Sequence, residues 1–124
     1  MREIKFRGKN IEDNWEYGSL VISNHGRLYE MIDTERRYRG EVNPATIGQF
    51  TGLKDRNMKK IYEGDIVKIG TYTKGVVEYS DKYVQFIIIN TNAIEYEYEP
   101  LGDYTKIEII GNKFDNPELL EEGE

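Results

Sequence analysis

The chain contains no cysteine and a single histidine, His25, in 124 residues. Without thiols there is no disulfide, no thiol nucleophile and no thiolate metal site, and one imidazole cannot supply the His clusters that catalytic metals use. No apolar run approaches the roughly 18 residues of a membrane span, and the opening stretch, with Arg2, Glu3 and Lys5, carries no apolar signal-peptide core. A soluble, cytoplasmic protein with no membrane partner is expected. A positive balance is missing as well: 17 Lys and Arg face 23 Asp and Glu, a net charge of -6. Residues 113–124 hold one Lys against five acids, so the body of the chain is nearly neutral. Arg27, Arg36, Arg37 and Arg39 fall close together, while Glu95, Glu97, Glu99 and Asp103 gather negative charge later. A mixed body of this kind lacks the basic stripe of phosphate-backbone binding, which disfavours duplex nucleic acid.

What the chain does contain is strand signal. Its 14.5 kDa bury about two thirds of the surface exposed on unfolding, enough for one core or two small lobes. Ile4 and Phe6, then Trp15, Tyr17 and residues 19–22, form short alternating runs rich in aromatic and β-branched side chains, parted by the polar stretch 8–14. This reads as a hairpin with a long loop. Residues 23–26 make a turn in which Asn24 and Gly26 accept positive φ, and residues 27–32 form a third strand. Residues 33–40 are too charged for core and read as a loop anchored by Tyr38.

Turn signals in the second half recur every 8–12 residues, the pattern of a small barrel or sandwich. Strands are expected at 46–53, 61–62, 66–69, 76–79, 83–90 and 107–110, with turns at Lys54-Asp55-Arg56-Asn57 and Glu63-Gly64-Asp65. The run 83–89 is nearly continuous apolar and suits a strand covered on both faces. Residues 94–99 alternate Glu with Ile or Tyr and read as a further strand. Asn116-Pro117-Glu118-Leu119-Leu120 places a cap residue, Pro and an acid as a short C-terminal helix requires.

The blocks Arg2-Glu3-Ile4-Lys5-Phe6-Arg7, Trp15-Glu16-Tyr17-Gly18, Thr46 to Asp55, Ile61-Tyr62-Glu63-Gly64-Asp65-Ile66-Val67, Ile107 to Asn112 and Asn116 to Leu120 together resemble the YopX family of phage and prophage proteins. The resemblance spans nearly the whole chain, and its two central blocks in tandem are specific. One departure is Met58, which follows Asn57 where the family usually has glycine. The resemblance implies a mainly β chain of phage origin: an N-terminal β region (1–50), a small SH3-like barrel (51–115), and a short helix with an acidic tail (116–124). It implies no catalytic or ligand residues.

The candidate chemistry is sparse. Glu63 and Asp65 flanking Gly64 suit a tight turn, in which Asp65 bonds backbone amides, better than a metal site. Glu95, Glu97 and Glu99 suit a charged edge-strand face. His25 sits among turn residues without a nucleophile beside it. Lys54, Asp55 and Arg56 form no catalytic trio, and Gly48 with Gly52 no phosphate cradle, because both glycines lie in a strand pattern. Gln49 and Thr51 share one face of a strand and either satisfy neighbouring backbone or line a pocket.

Arg36, Arg37, Tyr38 and Arg39 form the strongest functional signal. Three guanidiniums around a phenol suit phosphate oxygens and a stacked ring, while a solvated charged loop is the commoner use of such a run. Trp15 and Tyr17 supply amphipathic contact surface of the kind enriched at interfaces. The expected function is therefore noncatalytic binding of a host protein, with no cofactor and no metal. The alternative is sequestration of a small phosphorylated, nucleotide-type signal by the Arg loop, in a pocket across a homo-oligomer interface. No acid, base or nucleophile arrangement points to an enzyme.

Overall fold

The computed structural model describes residues 3–70, 73–90, 98–100 and 106–120. The chain is mainly β and divides into two compact units, Met1–Phe50 and Thr51–Glu124.

In the first unit β1 (Phe6–Lys9), β2 (Trp15–Ser23), β3 (Leu28–Ile32), β4 (Tyr38–Glu41) and the start of β5 (Gly48–Lys54) form an antiparallel sheet in the order β4-β3-β2-β1-β5. A flat sheet would hold β4 roughly 14 Å from β1, three strand spacings away. Yet the Asn43 N–H donates to the Lys9 carbonyl at 2.8 Å, and a side chain at Gly8 would meet Val42 at 3.1 Å. The sheet is therefore rolled, with Met31 and Val42 buried inside it. Roll closure is helped by Thr46, whose hydroxyl accepts the Lys9 N–H at 2.9 Å and donates to the Asn43 carbonyl at 2.7 Å.

The expected loop over 33–40 is shorter than its charge suggests. Asp33 accepts the N–H groups of Glu35 and Arg37, each at 2.9 Å, so the chain reverses within five residues and Tyr38 returns to pair with Ile32. Residues 38–41 thereby become the edge strand β4, and Tyr38 is exposed rather than an anchor.

In the second unit β6 (Lys60–Tyr62) follows β5, and β7 (Asp65–Ile69), β8 (Thr73–Ser80), β9 (Gln85–Asn90), β10 (Tyr98–Pro100) and β11 (Ile107–Asn112) make an antiparallel sheet ordered β10-β9-β8-β7-β11. Ile61, Val67, Val77, Ile88 and Ile107 form its core, flanked by Leu53, Ile69 and Ile109. The sheet is not closed: β10 and β11 stand at opposite edges. The apolar run at 83–89 splits, because Val84 takes φ 53° in a turn and only 85–90 enter β9. Of the strand expected over 94–99, residues 98 and 99 fall in β10, and the rest, with Asp103, lies outside the described residues. Where the short C-terminal helix is expected, Pro117–Leu120 form one 3-10 turn. Four residues provide too few i to i-4 bonds to propagate an α-helix.

Candidate functional site

Strand alternation sorts the outer surface of the first unit. Across β1 and β2, Arg7 is paired with Tyr17 and Lys9 with Trp15, so these four side chains share one face while Glu16 projects to the other. Arg7 Cζ lies 4.6 Å and Lys9 Nζ 5.3 Å from the Trp15 ring centroid, and Lys5 Nζ lies 5.9 Å from that of Tyr17. Lys9 also pairs with Asp13 at 3.1 Å. Arg7 and Lys9 are each only 6 % exposed, so Trp15 is committed to holding two cations that water barely reaches. Sequence reasoning singled out Trp15 and Tyr17 but missed Arg7 and Lys9. The signal was their two-residue spacing, which gains meaning only once the hairpin register sets them opposite the rings.

The same face continues toward β4. Tyr17, Ser19 and Val21 are exposed along β2, and the cross-strand rows Ser19–Ile32–Tyr38 and Val21–Glu30–Glu41 follow from the register. Tyr17 and Val21 on β2 and Tyr38 on β4 are 42 %, 38 % and 64 % exposed, with the partly buried Ile32 of β3 between the two strands. The Tyr38 hydroxyl donates to Glu30, which raises its pKa above the ordinary value of 10.0.

The structure gives Arg37, Tyr38 and Arg39 different partners. Arg37 pairs with Asp33 at 3.2 Å and with Glu35, while Arg39 reaches Glu16 at 3.1 Å. Arg36, in the turn at φ 65°, carries no ion pair among the described residues. Backbone donation from Arg37 and Glu35, together with the Arg37 guanidinium, outweighs desolvation and holds the Asp33 carboxyl below 3.8. Because Glu16 points away from Trp15 and Tyr17, the Arg39 contact and the aromatic face lie on opposite sides of β2.

Gln49 is partly buried and registers with Phe6 on β1. Thr51 resolves toward backbone: its hydroxyl donates to the Ile61 carbonyl at 2.9 Å and accepts the Leu53 N–H at 3.2 Å. His25 is exposed at φ 58° in the β2–β3 turn. Asp65 accepts the Tyr62 N–H at 2.8 Å beside Gly64 at φ 91°, as a tight turn requires. Asp55, dismissed as part of a trio, is fully buried. Its carboxylate accepts the N–H groups of Asn57, Lys59 and Ile109 at 2.8, 2.9 and 3.0 Å. Burial pushes that carboxyl up, and the three backbone donors more than reverse it, so its pKa is lowered from 3.8. No group of three or more His, Cys, Asp or Glu among the described residues is placed to hold a metal ion.

A family model described as YopX protein matches residues 5–121. No curated protein matches the chain.

Proposed function

From the premise that this chain belongs to the YopX family, we propose that it is a noncatalytic, phage-encoded protein that acts inside the host cell by binding a host protein. The observation that carries this reading is the face of the first unit on which Tyr17, Val21 and Tyr38 are exposed and Ile32 is partly buried, interleaved with Ser19, Glu30 and Glu41 on a hydrogen-bonded sheet. Rigid aromatic side chains on a fixed backbone lose little entropy on docking, which is why they anchor interfaces. The groups with displaced pKa values are all engaged in structural hydrogen bonds: Asp33 in its turn, Tyr38 across its hairpin to Glu30, and Asp55 both in the β5–β6 turn and to Ile109 of β11. For the second unit we propose the SH3-like barrel, since the order β10-β9-β8-β7-β11 returns the last strand to the first of the meander. The short element at Pro117 is the counterpart of the helix in the same reading.

Sequestration of a phosphorylated signal draws less support, because Arg37 and Arg39 are already neutralised by Asp33, Glu35 and Glu16. Capture of host proteins on the immobilised full chain, followed by titration of the captured protein, separates the two. Tyr17→Ala and Tyr38→Ala each weaken a genuine protein partner at least tenfold, about 1.4 kcal/mol, whereas Arg36→Ala with Arg39→Ala mainly slows association. Calorimetric binding of nucleotides that disappears in the double Arg variant, with no protein partner, overturns the proposal in favour of sequestration.

A further inference from the structure

The loop joining β1 to β2 is far better bonded than a connector needs to be. The Asn10 side-chain oxygen accepts the N–H of Glu12 at 2.9 Å and of Asn14 at 3.0 Å, and its amide donates to Glu16 at 2.8 Å. The backbone adds Asn10 N–H to the Asn14 carbonyl at 2.9 Å and Asp13 N–H to the Asn10 carbonyl at 3.0 Å, and Asp13 is tied to Lys9. This framework holds Ile11 with its side chain 100 % exposed. Facing it is a second fixed segment, where Asn43 accepts the Ala45 N–H at 3.0 Å and donates its own N–H to Lys9. Between the two lies a cleft of about 390 Å³, with Asn10, Ile11 and Asp13 on one wall and Glu41, Val42 and Pro44 on the other.

The chemistry of the walls is one-sided. Ile11 and Pro44 offer exposed apolar surface above the buried Val42, Asp13 and Glu41 offer carboxylates, and the cleft is lined by no cation. Asp13 is partly compensated by Lys9, whereas Glu41 carries no ion pair among the described residues. An occupant that satisfies both features has an aliphatic stem and a cationic head, as Arg and Lys side chains do. The volume falls at the lower end of ligand-site sizes and suits a side chain with its flanking backbone. Both walls are already fixed, so an occupant meets little ordering cost.

We infer that this cleft receives an arginine- or lysine-bearing segment of a protein partner, with Ile11 and Pro44 gripping the stem and Glu41 the charged end. The inference rests on the binding reading above and adds a partner chemistry and a second contact site to it.

The test is amide NMR of the full chain titrated with acetyl-Leu-Arg-Leu amide, acetyl-Leu-Glu-Leu amide and spermidine. The Arg peptide is expected to give saturable shifts at Ile11, Asp13, Glu41 and Asn43, with the Glu peptide at least roughly fivefold weaker. Glu41→Gln and Ile11→Ser each weaken the Arg peptide about three- to tenfold while leaving the thermal midpoint in place, since both side chains are exposed. Shifts scattered over the acidic surface, equal responses to the two peptides, or unchanged binding in both variants would overturn the inference. Spermidine matching the Arg peptide overturns the assignment to a protein segment. A captured host protein that survives both cleft variants, together with a negative peptide titration, defeats the cleft and leaves the binding function standing. Absence of any protein partner alongside a positive titration defeats the function alone.

Discussion

Asp55 shows how much one side chain can carry in a chain this short. It is buried without a cation lying against it in an ion pair among the described residues, and it joins the β5–β6 turn to β11 through the Ile109 N–H, 54 positions away in sequence. Asp55→Ala strands three backbone donors and is expected to cost about 2–4 kcal/mol, read as a lowered denaturant midpoint with an unchanged slope. The pH dependence follows from the direction of the shift. A carboxyl whose folded pKa is lowered stabilises fully above its unfolded value near 3.8, and loses that contribution as pH falls through the lower folded value. The thermal midpoint of the native chain should therefore fall more steeply below about pH 4 than that of Asp55→Ala. Asp33 shifts in the same direction for an analogous reason, but it is only partly buried and lies in a surface turn, so water moderates its effect.

At the scale of elements, two backbone positions decide how strands meet. Gly18 sits at φ 150° where β2 passes from β1 to β3, and a Cβ there would lie 2.1 Å from the Ile32 carbonyl oxygen. Because that neighbour is backbone, the contact cannot be relieved by a rotamer change. Gly18→Ala is expected to destabilise the chain by at least about 2 kcal/mol, with hydrogen exchange accelerating first in β2 and β3. Met58 presents the opposite case. It occupies the left-handed region at φ 67° in the β5–β6 turn and is exposed, so its side chain bears conformational strain without compensating burial. Met58→Gly should raise stability by up to about 1 kcal/mol, less whatever glycine adds to the entropy of the unfolded chain. Thermal melts of the two proteins check it.

For the molecule as a whole, the far-ultraviolet circular dichroism spectrum should be that of a strand protein, since the described helical segments are 3-10 turns of three and four residues. A spectrum dominated by helix would contradict the architecture. The contrast between surface and core is equally testable. Replacing Arg36 and Arg39 together with Ala should move the thermal midpoint by no more than about 1 kcal/mol in stability, because exposed ion pairs contribute little. A larger loss would make the Arg39–Glu16 contact a structural brace of the roll. A lost ligand without a lost midpoint would assign those residues to binding.

The sequence by itself determined the kind of protein this is. Period-two alternation and regularly spaced turn residues act locally, so the mainly β character, the Glu63–Asp65 turn and the strands near 61–69 and 107–110 were legible, as was the family. The absence of thiols and the solitary His25 removed whole classes of chemistry before any contact was known. Quantities that depend on which side chains actually meet, near or far in sequence, were not legible. Asp33 shortened a charged loop into a hairpin, and Glu16, Asp33 and Glu35 neutralised the guanidiniums that looked like a receptor. Asp55 became a buried pin because Ile109 folds back onto it, and Thr51 turned to the Ile61 backbone. The cleft beside Ile11 arises because the rolled sheet brings residues 41–44 to residues 10–13, which sequence spacing cannot reveal. Local periodicity encodes the strands. Which charges meet, which are buried and what surface is left exposed are fixed by register and curvature, and these exist only in three dimensions.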